Sequence, residues 1–285
     1  MDAGYEARID AEKRIFRDNV DVHDLPPIFH YWSNTHLRPL CEECGFSNPH
    51  EFFTQHLARA ASRCGVARPE FVSIGAGNCD TEIAVAAMLR DAGVADFTLE
   101  CLELNPTMLD RGARAAEAAG LARHLRFTEG DFNTWKAPHR YHAVMANHSL
   151  HHVLDLESLF DGIHDALDPR GYFVISDMIG RNGHQRWPEA LAAVHRFWRE
   201  LPQEYRFNRL LKRQEEMYEN WDCSTEGFEG IRAQDIMPLL LDRFEFDLFV
   251  GFSNVVAIFV DRAFGHNFDP EREWDRDFID RVQAF

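Results

Sequence analysis

The chain has 285 residues, enough for two ordinary domains or one enlarged α/β domain, and its 45% hydrophobic and 12% aromatic content, with 23 Phe, excludes a disordered polymer. Its 30 Lys and Arg stand against 47 Asp and Glu, a formal charge of −17 that disfavours nucleic acid and anionic membrane as partners. No apolar run approaches the ~20 residues that span a bilayer, and the first thirty residues are charged throughout, so a soluble cytoplasmic protein is expected.

Residues 1–66 read as an N-terminal helical segment. Apolar positions fall at helical spacing through Phe29, Trp32, Leu37 and Leu40, then through Phe52, Phe53, Leu57 and Ala60, with Pro26-Pro27, Pro39 and Asn48-Pro49 as breakers. Cys41 and Cys44 form a CxxC with His30 and His36 nearby, but no second pair follows and Glu42-Glu43 inside it signals a solvated face, so no zinc is expected.

Over 67–180 short apolar runs alternate with helical stretches. The predicted strands are Phe71–Ile74, Phe97–Leu102, Leu125–Phe127, Tyr141–Ala146 and Tyr172–Ser176, separated by helices near 80–92, 106–119 and 152–167. Such alternation implies βαβ units and a doubly wound parallel sheet. A helical insertion follows over 181–231, with helices at 187–201 and 209–221, as a cap over a substrate site. Residues 232–262 resume the sheet: a helix at 233–243, then strands at 244–250 and 254–260 joined by Gly251-Phe252-Ser253, a link short enough only for an antiparallel pair. The tail, 263–285, spaces Trp274, Phe278 and Val282 four apart, a stripe for docking on the body or on a second subunit, as in a homodimer. The expected fold class is therefore α/β: a mostly parallel seven-stranded sheet ending in an antiparallel hairpin.

Chemistry concentrates at the strand ends. Phe71-Val72-Ser73-Ile74-Gly75-Ala76-Gly77-Asn78-Cys79-Asp80 runs from a buried strand through a glycine turn into a helix, where backbone can approach a ligand and helix N–H groups face it. The next strand ends in Cys101-Leu102-Glu103-Leu104-Asn105-Pro106-Thr107-Met108-Leu109, placing Glu103 where a nucleoside ribose would present its hydroxyls. The third ends in Glu129-Gly130-Asp131-Phe132: an acid able to accept from an exocyclic amine, and a ring able to cover a base.

In type, order and spacing, these motifs, with NHSLHHV after the fourth strand and ALDPRGYFVISD leading into the fifth, resemble the class I S-adenosylmethionine-dependent methyltransferases over residues 70–178. The resemblance implies S-adenosylmethionine as cofactor, with Gly75 and Gly77 framing its methionine portion, Glu103 on the ribose, Asp131 at the adenine and Asn147 beside the sulfonium. Ala76, Asn78, Leu104, Met108 and Phe132 complete the implied cofactor-binding set. Two positions depart from the family: Ser73 stands where an acid is frequent, with Asp80 as a substitute, and Cys79 stands at the third glycine.

Methyl transfer to a hydroxyl needs a proton acceptor, and His148, His151 and His152 lie at the mouth of the fourth strand, with His151 favoured. They can equally be packing residues at a helix start. No carboxylate sits among them, Asp155 and Glu157 lying further along, so no metal is expected. Aromatics at Phe29, Tyr31, Trp32, Trp187, Phe197, Trp198, Tyr205, Phe207, Tyr218 and Trp221 could line a pocket or form the insertion's own core. In Glu226-Gly227-Phe228-Glu229-Gly230-Ile231-Arg232, Arg232 fits a surface salt bridge better than a substrate carboxylate. The expected activity is methylation of a small-molecule acceptor, O- ahead of N- or C-methylation. The alternatives are a nicotinamide-dependent oxidoreductase, which lacks a Tyr-x-x-x-Lys pair here, and a non-catalytic nucleoside-binding protein of the same fold.

Overall fold

The computed structural model describes residues 3–18, 25–225 and 227–285. They group into two compact units: one of 3–18, 48–184 and 222–246, the other of 25–47, 185–221 and 247–285. Among the described residues no helix is long and apolar enough to cross a membrane.

The first unit holds a five-stranded sheet of β1 (Glu70–Ile74), β2 (Thr98–Glu103), β3 (Leu125–Glu129), β4 (Tyr141–Asn147) and β5 (Leu167–Ser176), in the order β3-β2-β1-β4-β5 with every pairing parallel. The central strands are nearly continuous apolar runs because both faces of the sheet are covered. Phe71, Leu99, Cys101, Ala143 and Met145 pack with Phe53, Leu57 and Leu89 in one core. The intervening Val72, Ile74, Leu102, Val144 and Ala146 pack with Leu156, Leu159 and Phe160 in the other. Parallel register sets Ile74 beside Leu102 and Ala146, and Glu103 beside Glu129, so the chain leaves β1, β2, β3 and β4 along one edge.

Local chemistry starts each helix. Asn48 accepts from the Glu51 N–H at 3.0 Å ahead of helix Pro49–Cys64, and Asn105 from the Thr107 N–H at 3.1 Å ahead of Pro106–Ala118. Asp155 caps Leu156–Ala166 in the same way. The first strand turns through Gly75 at φ +70°, where a Cβ would lie 2.5 Å from the Ser149 Cβ, so only glycine lets the β4 loop close over the turn.

Three expectations are corrected. Residues 244–250 form no strand and Ala257–Val260 is a helical turn, so the sheet has five strands rather than seven and no terminal hairpin. Val255, Val256, Ile258, Phe259 and Val260 are all buried in the second unit's core, and a run buried on every side cannot alternate in and out as a half-exposed hairpin does. The antiparallel pair of this chain lies elsewhere, Phe207–Asn208 against Arg213–Gln214. It replaces the helix expected over 209–221, because the Asn208 side chain takes the Leu210 and Leu211 N–H groups and Lys212 sits at φ +52°. The helix expected over 152–167 begins only at Leu156, residues 150–152 forming a separate 3₁₀ turn.

The unit boundaries also cut across the expected segments. Helix Ala3–Asp18 and helix Pro49–Cys64 belong to the first unit, the helical residues 27–43 to the second. In the second unit Trp32, Phe197, Trp198 and Tyr205 are buried with Phe259, Phe264 and Phe278, so these aromatics are that unit's own core. Trp198 meets Phe264 edge-on at 4.9 Å, and Phe278 stacks on Trp274 at 5.5 Å. The tail stripe is used the same way: Phe278 and Val282 on helix Glu273–Gln283 are buried there.

Candidate functional site

At the glycine turn the Gly75 and Ala76 N–H groups donate to the Leu102 carbonyl at 2.9 and 3.0 Å, tying β1's exit to β2. Gly77, at φ +57°, donates its N–H to Glu103 Oε2 at 2.9 Å, while Glu103 Oε1 accepts from the Asn105 N–H at 2.9 Å. Glu103 is buried, and burial raises its carboxyl above the usual range even though these amides favour the charged form. Leu104, Met108 and Phe132 are buried around it, with the Met108 methyl 3.4 Å from where a Gly77 Cβ would sit. Asp131 accepts from the Asn133 N–H at 2.9 Å and from the Tyr5 hydroxyl at 2.5 Å. Asn147 donates to the Thr81 hydroxyl at 3.1 Å.

The first helix, Ala3–Asp18, runs along these strand ends. Besides Tyr5 on Asp131, its Lys13 carbonyl accepts from Asn105 Nδ2 at 3.3 Å, and its Glu12 accepts from the Phe228 N–H at 3.1 Å. Nothing in local spacing marks this placement, because an amphipathic helix carries no label for the surface it covers.

Ser73 Oγ donates to Glu82 Oε1 at 2.6 Å, so the carboxylate beside β1 comes from the following helix, and from Glu82 rather than Asp80. Glu82 Oε2 and Asn78 Oδ1 are buried acceptors with no partner among the described residues. Burial pushes the Glu82 carboxyl up to about 7. A folded-state pKa raised above the unfolded value gives a stability contribution present below pH 4.5 and lost as pH rises through 7, a loss of about 3 kcal/mol. Glu82→Gln should therefore stabilise the apoprotein at pH 8 by up to about 3 kcal/mol, with the gain vanishing by about pH 4.5. Denaturant titrations at the two pH values measure it, and a pH-independent difference would dismiss the assignment.

The second cluster lies where β4 and β5 end. Pairing of Asn147 with Ser176 sets Asp177 beside the NHSLHHV loop, where it accepts from the Ser149, Leu150 and Met178 N–H groups at 2.7–2.9 Å. His151 Nδ1 lies 2.5 Å from Asp177 Oδ1. Burial pushes the Asp177 carboxyl up, but the His151 hydrogen bond and charge, with the loop amides, outweigh it and hold it below the usual range. An ionised Asp177 accepts, so His151 donates from Nδ1, and in the neutral ring the lone pair lies on Nε2.

Four further residues converge on this point. His152 Nδ1 sits 2.7 Å from Glu12 Oε1, and His184 Nε2 sits 2.7 Å from Glu229 Oε1. The Glu229 carboxylate also faces His151 Nε2 at 3.6 Å and His152 Nε2 at 3.5 Å. Burial raises the Glu229 carboxyl, yet the His184 hydrogen bond and the charges of His152, His151 and His184 bring it down to about 2. Burial opposes protonation of His152 as well, but Glu12 raises it overall. His148, at φ +53°, is held at the rim by its N–H on the Ser176 carbonyl at 2.8 Å, and burial lowers its pKa. The trio expected from NHSLHHV is thus brought together, and the carboxylate missing from that segment arrives as Glu229 from far along the chain. Register of β5 on β4 is the one signal that could have found Asp177; Glu12, His184 and Glu229 leave none in local spacing. Arg232 is a salt-bridge residue, with Nη1 and Nη2 on Glu157 at 2.5 and 2.8 Å and Nε on Asp235 at 2.8 Å. Glu226 lies outside the described residues.

Residues 72–173 match the methyltransferase-domain family. An 85-residue stretch is 34% identical to sterol 24-C-methyltransferase erg6 of Aspergillus fumigatus, covering 30% of this chain and 22% of that protein, so the chain matches about a fifth of that relative's length. Among solved structures, a sarcosine dimethylglycine methyltransferase of Galdieria sulphuraria, so assigned provisionally, aligns with TM-score 0.40 and 19% identity over 60% of this chain and 59% of that one. The DhpI–SAH complex aligns with TM-score 0.37 and 16% identity over 61% of this chain and 71% of that one.

Proposed function

We propose that this chain, whose residues 72–173 match the methyltransferase-domain family, is a class I S-adenosylmethionine-dependent methyltransferase that methylates the hydroxyl of a small-molecule acceptor, with His151 taking the proton. The observation that carries this reading is the buried His151–Asp177 pair at the end of β4, which leaves Nε2 as the proton-accepting atom.

The residues at the strand ends fit the cofactor. Asn78 Oδ1 and Glu82 Oε2, buried acceptors without partners among the described residues, suit the donors of its ammonium group. Gly75, Ala76 and Gly77 would hold the methionine portion, and Glu103, with Leu104 and Met108 beside it, the ribose; each Glu103 oxygen keeps a lone pair beyond the amide it holds. Asp131 and Phe132 would meet the adenine, and Asn147 the sulfonium side. When bound, S-adenosylmethionine supplies an electrophilic methyl on a positively charged sulfur.

The chain's own part is positioning and proton removal. With a hydroxyl acceptor aligned on that methyl, His151 Nε2 would take the hydroxyl proton as the oxygen is methylated. Asp177 is a positioning residue, holding the ring so that Nδ1 carries hydrogen and Nε2 does not. A net charge of −17 disfavours nucleic acids as acceptors.

Calorimetry of the full chain with S-adenosylhomocysteine, followed by a labelled methyl-transfer screen over small hydroxyl compounds, tests the proposal. Saturable binding and label on an acceptor oxygen are expected. Absence of binding would overturn the cofactor assignment; label on nitrogen or carbon alone would overturn O-methylation.

A further inference from the structure

We infer that His151, His152 and Glu229 form a binding site for one divalent first-row transition-metal ion. The ligand atoms, His151 Nε2, His152 Nε2 and a Glu229 carboxylate oxygen, lie within 4.8 Å of one another. The separations from Glu229 oxygens are 3.6 Å to His151 Nε2 and 3.5 Å to His152 Nε2. Ligands on metal bonds of about 2.1 Å stand about 3.4 Å apart around a tetrahedral ion, so an ion fits with little side-chain movement. Two imidazoles and one carboxylate with open positions suit a borderline divalent ion such as iron, cobalt or zinc better than magnesium or calcium.

What sets this cluster apart from a chance meeting of polar groups is that two ligands have hydrogen-bonded orienting partners and the third faces a carboxylate. Asp177 holds His151 at Nδ1, Glu12 lies 2.7 Å from His152 Nδ1, and His184 bonds Glu229, so both imidazoles direct Nε2 to one point. That is the outer arrangement that fixes metal-binding histidines in the right tautomer. The surrounding charge agrees. Asp177 and the two histidines are buried, three carboxylates face the group, and a dication would compensate charge that the histidines otherwise meet by taking up protons. Glu229 is partly exposed, which leaves an entry path.

The ion and the proton compete for the His151 Nε2 lone pair, so the loaded form should lack the proposed base, and excess ion should slow methyl transfer reversibly. The test of the site itself uses neither methyl donor nor acceptor and is independent of that role. The full chain, stripped with EDTA, is titrated with Co²⁺ and followed by calorimetry and visible absorption. One ion per chain is expected, with ligand-field bands that Zn²⁺ displaces. Glu229→Gln and His152→Ala should abolish the bands, and Glu12→Gln should weaken binding about 10–100-fold, circular dichroism confirming that each variant is folded. Wild type without saturable Co²⁺ binding would overturn the inference, as would variants at Glu229 and His152 that bind as tightly as wild type.

Discussion

His151→Ala should lower turnover by about 10²–10⁴-fold in EDTA-treated protein, with S-adenosylhomocysteine affinity unchanged within a factor of two or so. The size of the loss follows from what the ring does in the structure. Its Nδ1 is committed to Asp177, itself fixed by three loop amides, so the ring cannot turn, and Nε2 is the only lone pair presented. Loss of the base affects the transition state alone, because the proton moves only as the new bond forms. Asp177→Asn separates this role from packing: the amide can keep the loop but can donate to Nδ1, turning the tautomer so that Nε2 carries the hydrogen. Turnover should then fall with KM for the methyl donor preserved. Wild-type rates in both variants would remove His151 from the chemistry and leave it as a core histidine.

Glu103→Ala should weaken S-adenosylhomocysteine binding by about 1–3 kcal/mol, roughly 5- to 150-fold, and destabilise the apoprotein as well. Two effects share one side chain. The carboxylate is the group proposed to meet the ribose hydroxyls, and it also pairs the Gly77 and Asn105 N–H groups, so its removal leaves two amides of a buried turn unsatisfied. Glu103→Gln keeps an acceptor oxygen for one amide and should recover much of the stability while recovering less of the affinity, since a neutral amide binds a diol more weakly than a carboxylate does. Calorimetric titration alongside denaturant unfolding separates the two effects. Affinity unchanged in the alanine variant would show that Glu103 serves the turn alone.

The strand-end half of the candidate site was legible because it is encoded by local spacing. A buried run, a glycine turn and a helix start are contiguous, and parallel pairing of β1 with β2 and β4 lines up whatever follows each strand. Gly75, Glu103, Asp131 and Asn147 were placed at the strand ends this way, by period-2 patterning and length. Failure came where a pattern had two solutions. The Phe-rich run 244–250 alternates like a strand, yet among its exposed members are Phe246, Leu248 and Phe249, and the following residues enter the second unit's core as a helical turn.

Residue order alone thus determined the sheet's central strands, the glycine turn and which acids stand at its edge, because hydrogen-bond geometry ties these features to neighbours a few positions away. Tertiary structure alone decided that Glu82 pairs with Ser73, and that Glu12, His184 and Glu229 gather around His151 and His152. Side chains brought together by packing carry no mutual spacing in the sequence, since the free energy that joins them is gained only once the intervening chain has folded.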